Sequence, residues 1–177
     1  MKLLLSLLLS MQLYAVGSGV YVELSGGLGL NDTIEAKNGA YVYDKEYIGS
    51  VSLGYQADLL RLELEAIQKK DRLYSFGAIS VAGDLEQTSQ MFNLYYSGYN
   101  ESKLVTTVGI GAGVTAISLQ EAEDKNILSY QGMFSIGYMS TQSLTITTEY
   151  TYFYTTESDN FKSNSDNIFS LNFRYLF

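Results

Sequence analysis

Four residue types are missing altogether from this 177-residue chain: cysteine, proline, histidine and tryptophan. Without cysteine there is no disulfide framework, no thiolate chemistry and no lipid-modified N-terminal cysteine. Without histidine the commonest general base and the commonest metal ligand are both gone. The lack of proline removes the one residue that cannot donate a backbone N–H, so nothing breaks a hydrogen-bonded strand. Positive charge is scarce. Eleven Lys and Arg stand against 19 Asp and Glu, a net charge of −8, which argues against a nucleic-acid partner. Mean hydropathy is only +0.01. A helical membrane bundle, whose spans each need ~20 mostly apolar residues, is therefore excluded. A β-barrel is not, because lipid-facing and lumen-facing residues alternate and cancel in any average.

Apolar residues do run together at the N-terminus. Met1-Lys2 precedes Leu3-Leu4-Leu5-Ser6-Leu7-Leu8-Leu9, and small residues follow at Ala15, Gly17, Ser18 and Gly19. A positive start, a short apolar core and a small-residue site predict a secretory signal peptide over residues 1–17. Residues 18–177 then form one domain.

Past residue 19 the pattern has a period of two, the mark of strands with two unlike faces. Phe169, Leu171, Phe173, Tyr175 and Phe177 share one face, opposite Ser170, Asn172 and Arg174. The same alternation recurs over 20–30, 47–57, 60–69, 88–99, 104–117, 127–139 and 144–155. That makes eight segments, each near the ~9–11 residues that a tilted strand needs to cross a bilayer. Short connections near Asp58, Asn100–Lys103 and Ser140–Ser143 alternate with longer ones at 31–46, 70–87, 118–126 and 156–167. Short turns on one side and long loops on the other predict an all-β fold. The expected form is an eight-stranded antiparallel, up-and-down transmembrane β-barrel with both termini on the periplasmic side.

Tyrosine supplies a second line of argument. Of its 16 copies, Tyr55, Tyr138 and Tyr175 are predicted to face out at one end of their strands, with Phe177. Tyr47, Tyr130 and Tyr154, with Phe169, are predicted to face out at the other. Two aromatic girdles framing an aliphatic band suit the two membrane interfaces.

With these features the chain resembles the small outer-membrane barrels of the OmpA-type membrane domain, OmpX and opacity-protein group. The resemblance covers essentially the whole segment after the signal peptide. It implies residence in the bacterial outer membrane. It also implies that the alternating tail Phe169-x-Leu171-x-Phe173-x-Tyr175-x-Phe177 is the signal read by the barrel-assembly machinery. The peptidoglycan-binding periplasmic domain of full-length OmpA-type proteins has no counterpart in these residues. Lipid A acyltransferases and deacylases use similar barrels with an active-site histidine, which this chain lacks.

Inside the barrel the alternation places Glu23, Glu63, Glu65 and Glu149 against Arg61 and Arg174. An eight-stranded interior is just wide enough for side chains to fill, and buried charges need partners. A salt-bridged plug is expected, with a narrow gated ion path as the alternative. Glu63 and Glu65 share a face, as a carboxylate pair for glycoside chemistry would, but a filled lumen leaves no cleft. Gly109-x-Gly111-x-Gly113 matches no phosphate-binding motif; it is read as room for bulky lumen neighbours such as Tyr95 or Met133. The loops carry most of the acids, Glu121, Glu123 and Asp124 most densely, with no calcium-loop spacing. Lys69 and Asp166 are counted there too.

The function expected is non-enzymatic: membrane support and loop contacts with lipopolysaccharide or an extracellular or host surface. No cofactor and no metal are expected.

Overall fold

The computed structural model describes residues 17–30, 33–36, 39–76, 79–119, 122–158 and 162–177. Apart from Gly17, the expected signal peptide lies outside the described residues.

Nine strands are described: β1 (Gly19–Gly29), β2 (Thr33–Ala36), β3 (Gly39–Ala57), β4 (Leu60–Phe76), β5 (Ile79–Tyr99), β6 (Leu104–Leu119), β7 (Ala122–Met139), β8 (Leu144–Thr155) and β9 (Asn164–Leu176). All pairings are antiparallel. Eight strands run in the order β1-β9-β8-β7-β6-β5-β4-β3, and a β1–β3 pairing closes the ring. The short β2 is extra, paired with β3 alone among the described residues. The result is a closed eight-stranded barrel. Closure leaves none of the eight with an open edge, which is the form a sheet must take in lipid.

The expected long loops are corrected by this architecture. β4 and β5 continue as paired strands to Phe76 and Ile79, and β6 and β7 to Leu119 and Ala122. β3 runs back to Gly39 against β2. Charged and polar residues in these stretches had suggested loops. In a strand that rises past the apolar zone, however, the outward face need no longer be apolar, so the alternation stops while the ladder goes on. One break in the ladder is sharp. The pair Thr115–Ile127 gives way to Ile117–Asp124, a bulge at which Asn126 takes a left-handed φ of 59°. The short turns use the same conformation, at Asp58 (φ 51°) and Lys103 (φ 61°).

Register fixes the shape. Following paired residues around the ring from Ala57 gives Leu60, Tyr96, Val108, Phe134, Tyr150, Phe169 and Leu28, and returns to β3 at Tyr47. The stagger is thus 57 − 47, or ten residues. At ~3.3 Å per residue and ~4.8 Å between strands, that stagger tilts the strands by ~40°. It leaves a radius of ~8 Å, and each step along a row climbs ~3 Å.

Those steps sort the outward aromatics by height. Tyr138, Tyr175, Tyr55 and Tyr96 lie within ~6 Å of the level of Ala57, whereas Phe169, Tyr152, Tyr130, Tyr47 and Tyr154 lie ~19–26 Å above it. Between these levels the exterior is aliphatic and exposed, with Leu24, Leu53, Leu62, Leu64 and Ile110 among the largest contributors. In water such a belt would be costly; in hydrocarbon it is the favourable surface. Thr148, a polar side chain within it, donates to the Ile136 carbonyl at 3.2 Å. The exterior is therefore that of a transmembrane barrel.

Candidate functional site

The residues singled out from the sequence fall into two groups, wall and lumen. Phe169, Leu171, Phe173 and Tyr175 alternate outward along β9, and the Phe177 N–H donates to the Val20 carbonyl at 3.0 Å. Tyr47, Tyr55, Tyr130 and Tyr138 are exposed to the outside, and Tyr154 is half-buried on the same face of β8.

All six predicted lumen charges point inward. Strand pairing sets Glu23 directly opposite Arg174 across the β1–β9 seam. The ion-pair contact of Glu23, however, reaches across the lumen to Arg61, Nη1 to Oε2 at 3.5 Å. Arg61 lies over the ring of Tyr95 at 4.4 Å and near that of Tyr21 at 5.5 Å. Its Nε and Nη1 make no hydrogen bond. Arg174 approaches the other side of Tyr21, 5.7 Å from the ring centre. Cations stacked on ring faces lose less on leaving water than bare buried charges do.

Above the two arginines the carboxylates are tied by neutral donors. Glu63 accepts from the Tyr21 hydroxyl at 2.8 Å, from Asn93 Nδ2 at 3.1 Å and from the Tyr95 hydroxyl at 3.3 Å. Glu65 accepts from Asn93 Nδ2 at 2.9 Å and Gln131 Nε2 at 3.1 Å. Gln131 also donates to Asn93 Oδ1 at 2.8 Å. Glu149, level with Asn93, accepts from Thr151 at 3.5 Å. The net is continuous across β1, β4, β5 and β7. Two glycines make it possible. A Cβ on Gly109 would collide with the Tyr95 ring and lie 2.9 Å from Met133 Cε. One on Gly111 would collide with Asn93 and lie 2.9 Å from Gln131 Cγ. The reading of these glycines as interior room holds.

Higher in the lumen the chemistry changes. Ile48, Ile67, Met91, Phe153 and Ile168 form a buried apolar cluster. Row by row it lies ~19–23 Å above Ala57, at the level of the upper girdle. Over it Lys69 Nζ meets Asp166 Oδ2 at 2.6 Å, with side-chain exposures of 0% and 2%, and the ammonium lies 4.2 Å from the Phe153 ring centre. These two residues were expected in the loops and instead cap the lumen. Parity gives the reason. Ile67 and Lys69 continue the inward series Arg61, Glu63, Glu65, and Asp166 and Ile168 continue the series Ser170, Asn172, Arg174. A long charged side chain had looked like a loop residue because its burial depends on a partner 97 positions away.

The lumen thus holds a cationic and aromatic floor, a hydrogen-bonded carboxylate layer, an apolar septum and, over it, the Lys69–Asp166 ion pair. Among the described residues no group of His, Cys, Asp or Glu is arranged to hold a metal ion.

No protein-family profile matches the chain, and no curated protein matches its sequence. Solved structures do. Neisserial surface protein A (NspA) superposes with a TM-score of 0.70 at 16% identity, over 91% of this chain and 99% of that one. The outer membrane protein OprG from Pseudomonas aeruginosa superposes with a TM-score of 0.63 at 14% identity, over 95% and 99%. At such identities the likeness is one of architecture: the chain has the fold of the small eight-stranded outer-membrane β-barrels.

Proposed function

We propose that this protein is a non-enzymatic barrel of the bacterial outer membrane, closed to solutes, that works through its outer wall and its extended far end. The observation that carries the reading is the filled lumen. A solute crossing it would have to pass Arg61 between two tyrosine rings, the carboxylate layer, the apolar septum and the Lys69–Asp166 pair. The short turns share one end with Gly19 and Leu176. That end is assigned to the periplasm, and with it both termini of the folded domain. A leader over residues 1–17 would deliver the chain there, and Phe169, Leu171, Phe173, Tyr175 and Phe177 would be what the assembly machinery engages. At the other end, β3, β4 and β5 extend above the membrane and display contact surface for lipopolysaccharide or an extracellular or host partner.

A narrow channel is the competing reading, favoured by the polar lower lumen. Single-channel recording in a planar bilayer separates the two. The closed reading expects silence from inserted protein and continued silence from Arg61→Ala, because the septum stays intact. Steady current through the wild type, changed by Arg61→Ala, would replace it with the channel.

A further inference from the structure

The upper aromatic girdle is incomplete. At its level β3, β7, β8 and β9 present Tyr47, Tyr130, Tyr152 with Tyr154, and Phe169. β4 and β5 instead present Gln68, Thr88 and Gln90, all outward. One row above them Lys70 and Glu86 face each other, Nζ to Oε1 at 2.7 Å, both substantially exposed. Three uncharged hydrogen-bonding side chains and a lysine thus stand on the lipid side, where β3, β7, β8 and β9 place rings and β1 and β6 place aliphatic side chains such as Leu28 and Val114.

Beneath this gap the wall is hollow. Gly26 and Gly49 are paired across β1 and β3 and both face outward. A Cβ on Gly26 would meet nothing within 4 Å, and one on Gly49 would meet only a backbone oxygen at 4.0 Å. Neither glycine is therefore required by close packing in the barrel. Gly49, with Leu24, Val51 and Ala66, lines a shallow groove of about 750 Å³ that runs up to Tyr47, Gln68, Thr88 and Lys70. A second hollow of about 550 Å³ shares Val51 and Ala66 and continues to Gln90 and Ala112.

We propose that this groove is a binding seat for one phosphorylated glycolipid of the outer leaflet. An acyl chain lies along Leu24, Gly49 and Ala66, and the phosphate and sugar engage Lys70, Gln68, Thr88 and Gln90. The proposal rests on the membrane reading above and names a site within it. The complementarity is specific. An apolar trough ends, at the height of the membrane interface, in amide and hydroxyl donors and an ammonium, the donors that phosphate and sugar oxygens accept from. The Lys70–Glu86 pair is exposed and weak, so a phosphate can share the ammonium.

The test uses the folded full barrel and bis-phosphorylated lipid A as the probe. Wild-type protein, Lys70→Gln, Gly49→Leu and, as a control on the opposite wall, Ile136→Leu are inserted into phosphatidylcholine bilayers containing a few per cent of the probe. They are then extracted, and the lipid retained per barrel is read by native mass spectrometry. Both substitutions face outward into open space, so folding is preserved. The expected result is one lipid A retained by wild type and by Ile136→Leu. Retention should fall about tenfold in Lys70→Gln, the loss of one charge-assisted contact, and be lost in Gly49→Leu, with phosphatidylcholine not taking its place. Equal retention of lipid A in all four proteins would overturn the proposal, as would equal retention of phosphatidylcholine, or dimers that Gly49→Leu dissolves. Protein that folds yet never enters the bilayer would instead overturn the membrane reading on which the site depends.

Discussion

Leu64 should be among the most sensitive positions on the outer wall, and the reason can be worked from strand pairing. It is 62% exposed and outward on β4. Its row, Leu53–Leu64–Phe92–Ala112–Tyr130, places it ~13 Å above Ala57, midway between the two girdles. Arginine there meets the centre of the hydrocarbon and should cost about 2–4 kcal/mol. Tyr47, outward and nearly as exposed, lies ~25 Å above Ala57 by the same rows. Tyr47→Arg reaches the interface and should cost about 0–1 kcal/mol. Both side chains are lipid-facing and neither packs in the lumen, so the difference isolates depth. The assay is reversible urea unfolding of barrels in phosphatidylcholine vesicles, followed by the gel-mobility difference between folded and heated protein. Equal costs at the two positions would refute the level assignment, and with it the ten-residue stagger from which it comes. A large cost at Tyr47 and a small one at Leu64 would place the belt elsewhere on the wall.

In the same assay Asp166→Ala should destabilise by about 3–5 kcal/mol, because it removes a carboxylate from contact with a buried ammonium, while the double variant Lys69→Met, Asp166→Leu should be close to neutral. A single-variant loss below about 1 kcal/mol would mean that the pair is solvated. Gly109→Val should cost about 1–3 kcal/mol by overpacking against Tyr95 and Met133, with partial recovery on adding Tyr95→Ala. Phe177→Ala should slow assembly in cells while leaving unassisted folding into vesicles nearly unchanged; slowing of both would make Phe177 a folding residue and not a recognition element.

The barrel was legible because lipid imposes one rule on every strand. Within the belt the outward residues are apolar with few exceptions, Thr148 among them, so parity told wall from lumen, and the pairing of the first and last strands followed from closure. Two things escaped that logic. At the interface and above it the rule no longer operates, and residues such as Lys70 and Glu86 read as loop although they sit in a continuous ladder. Inside the lumen, parity says which side chains point inward but not at what height, and so not which of them meet. The stagger supplies that, and it is a property of the closed ring as a whole. Glu23 bonding across to Arg61 instead of to its neighbour Arg174, and Lys69 finding Asp166, both depend on it.

The seam between β1 and β9 carries a consequence for how such a chain is made. Residues 21–29 pair with residues 168–176, so two strands far apart in sequence, β1 and β9, complete one another. A partial chain has two raw edges and no cylinder, and hydrocarbon offers nothing to either edge. The ring therefore closes only when both end strands are present. Until then the glutamates, asparagines and serines that line the lumen are open to water, in a chain whose net charge is −8, so one set of side chains favours solubility first and fills the core afterwards.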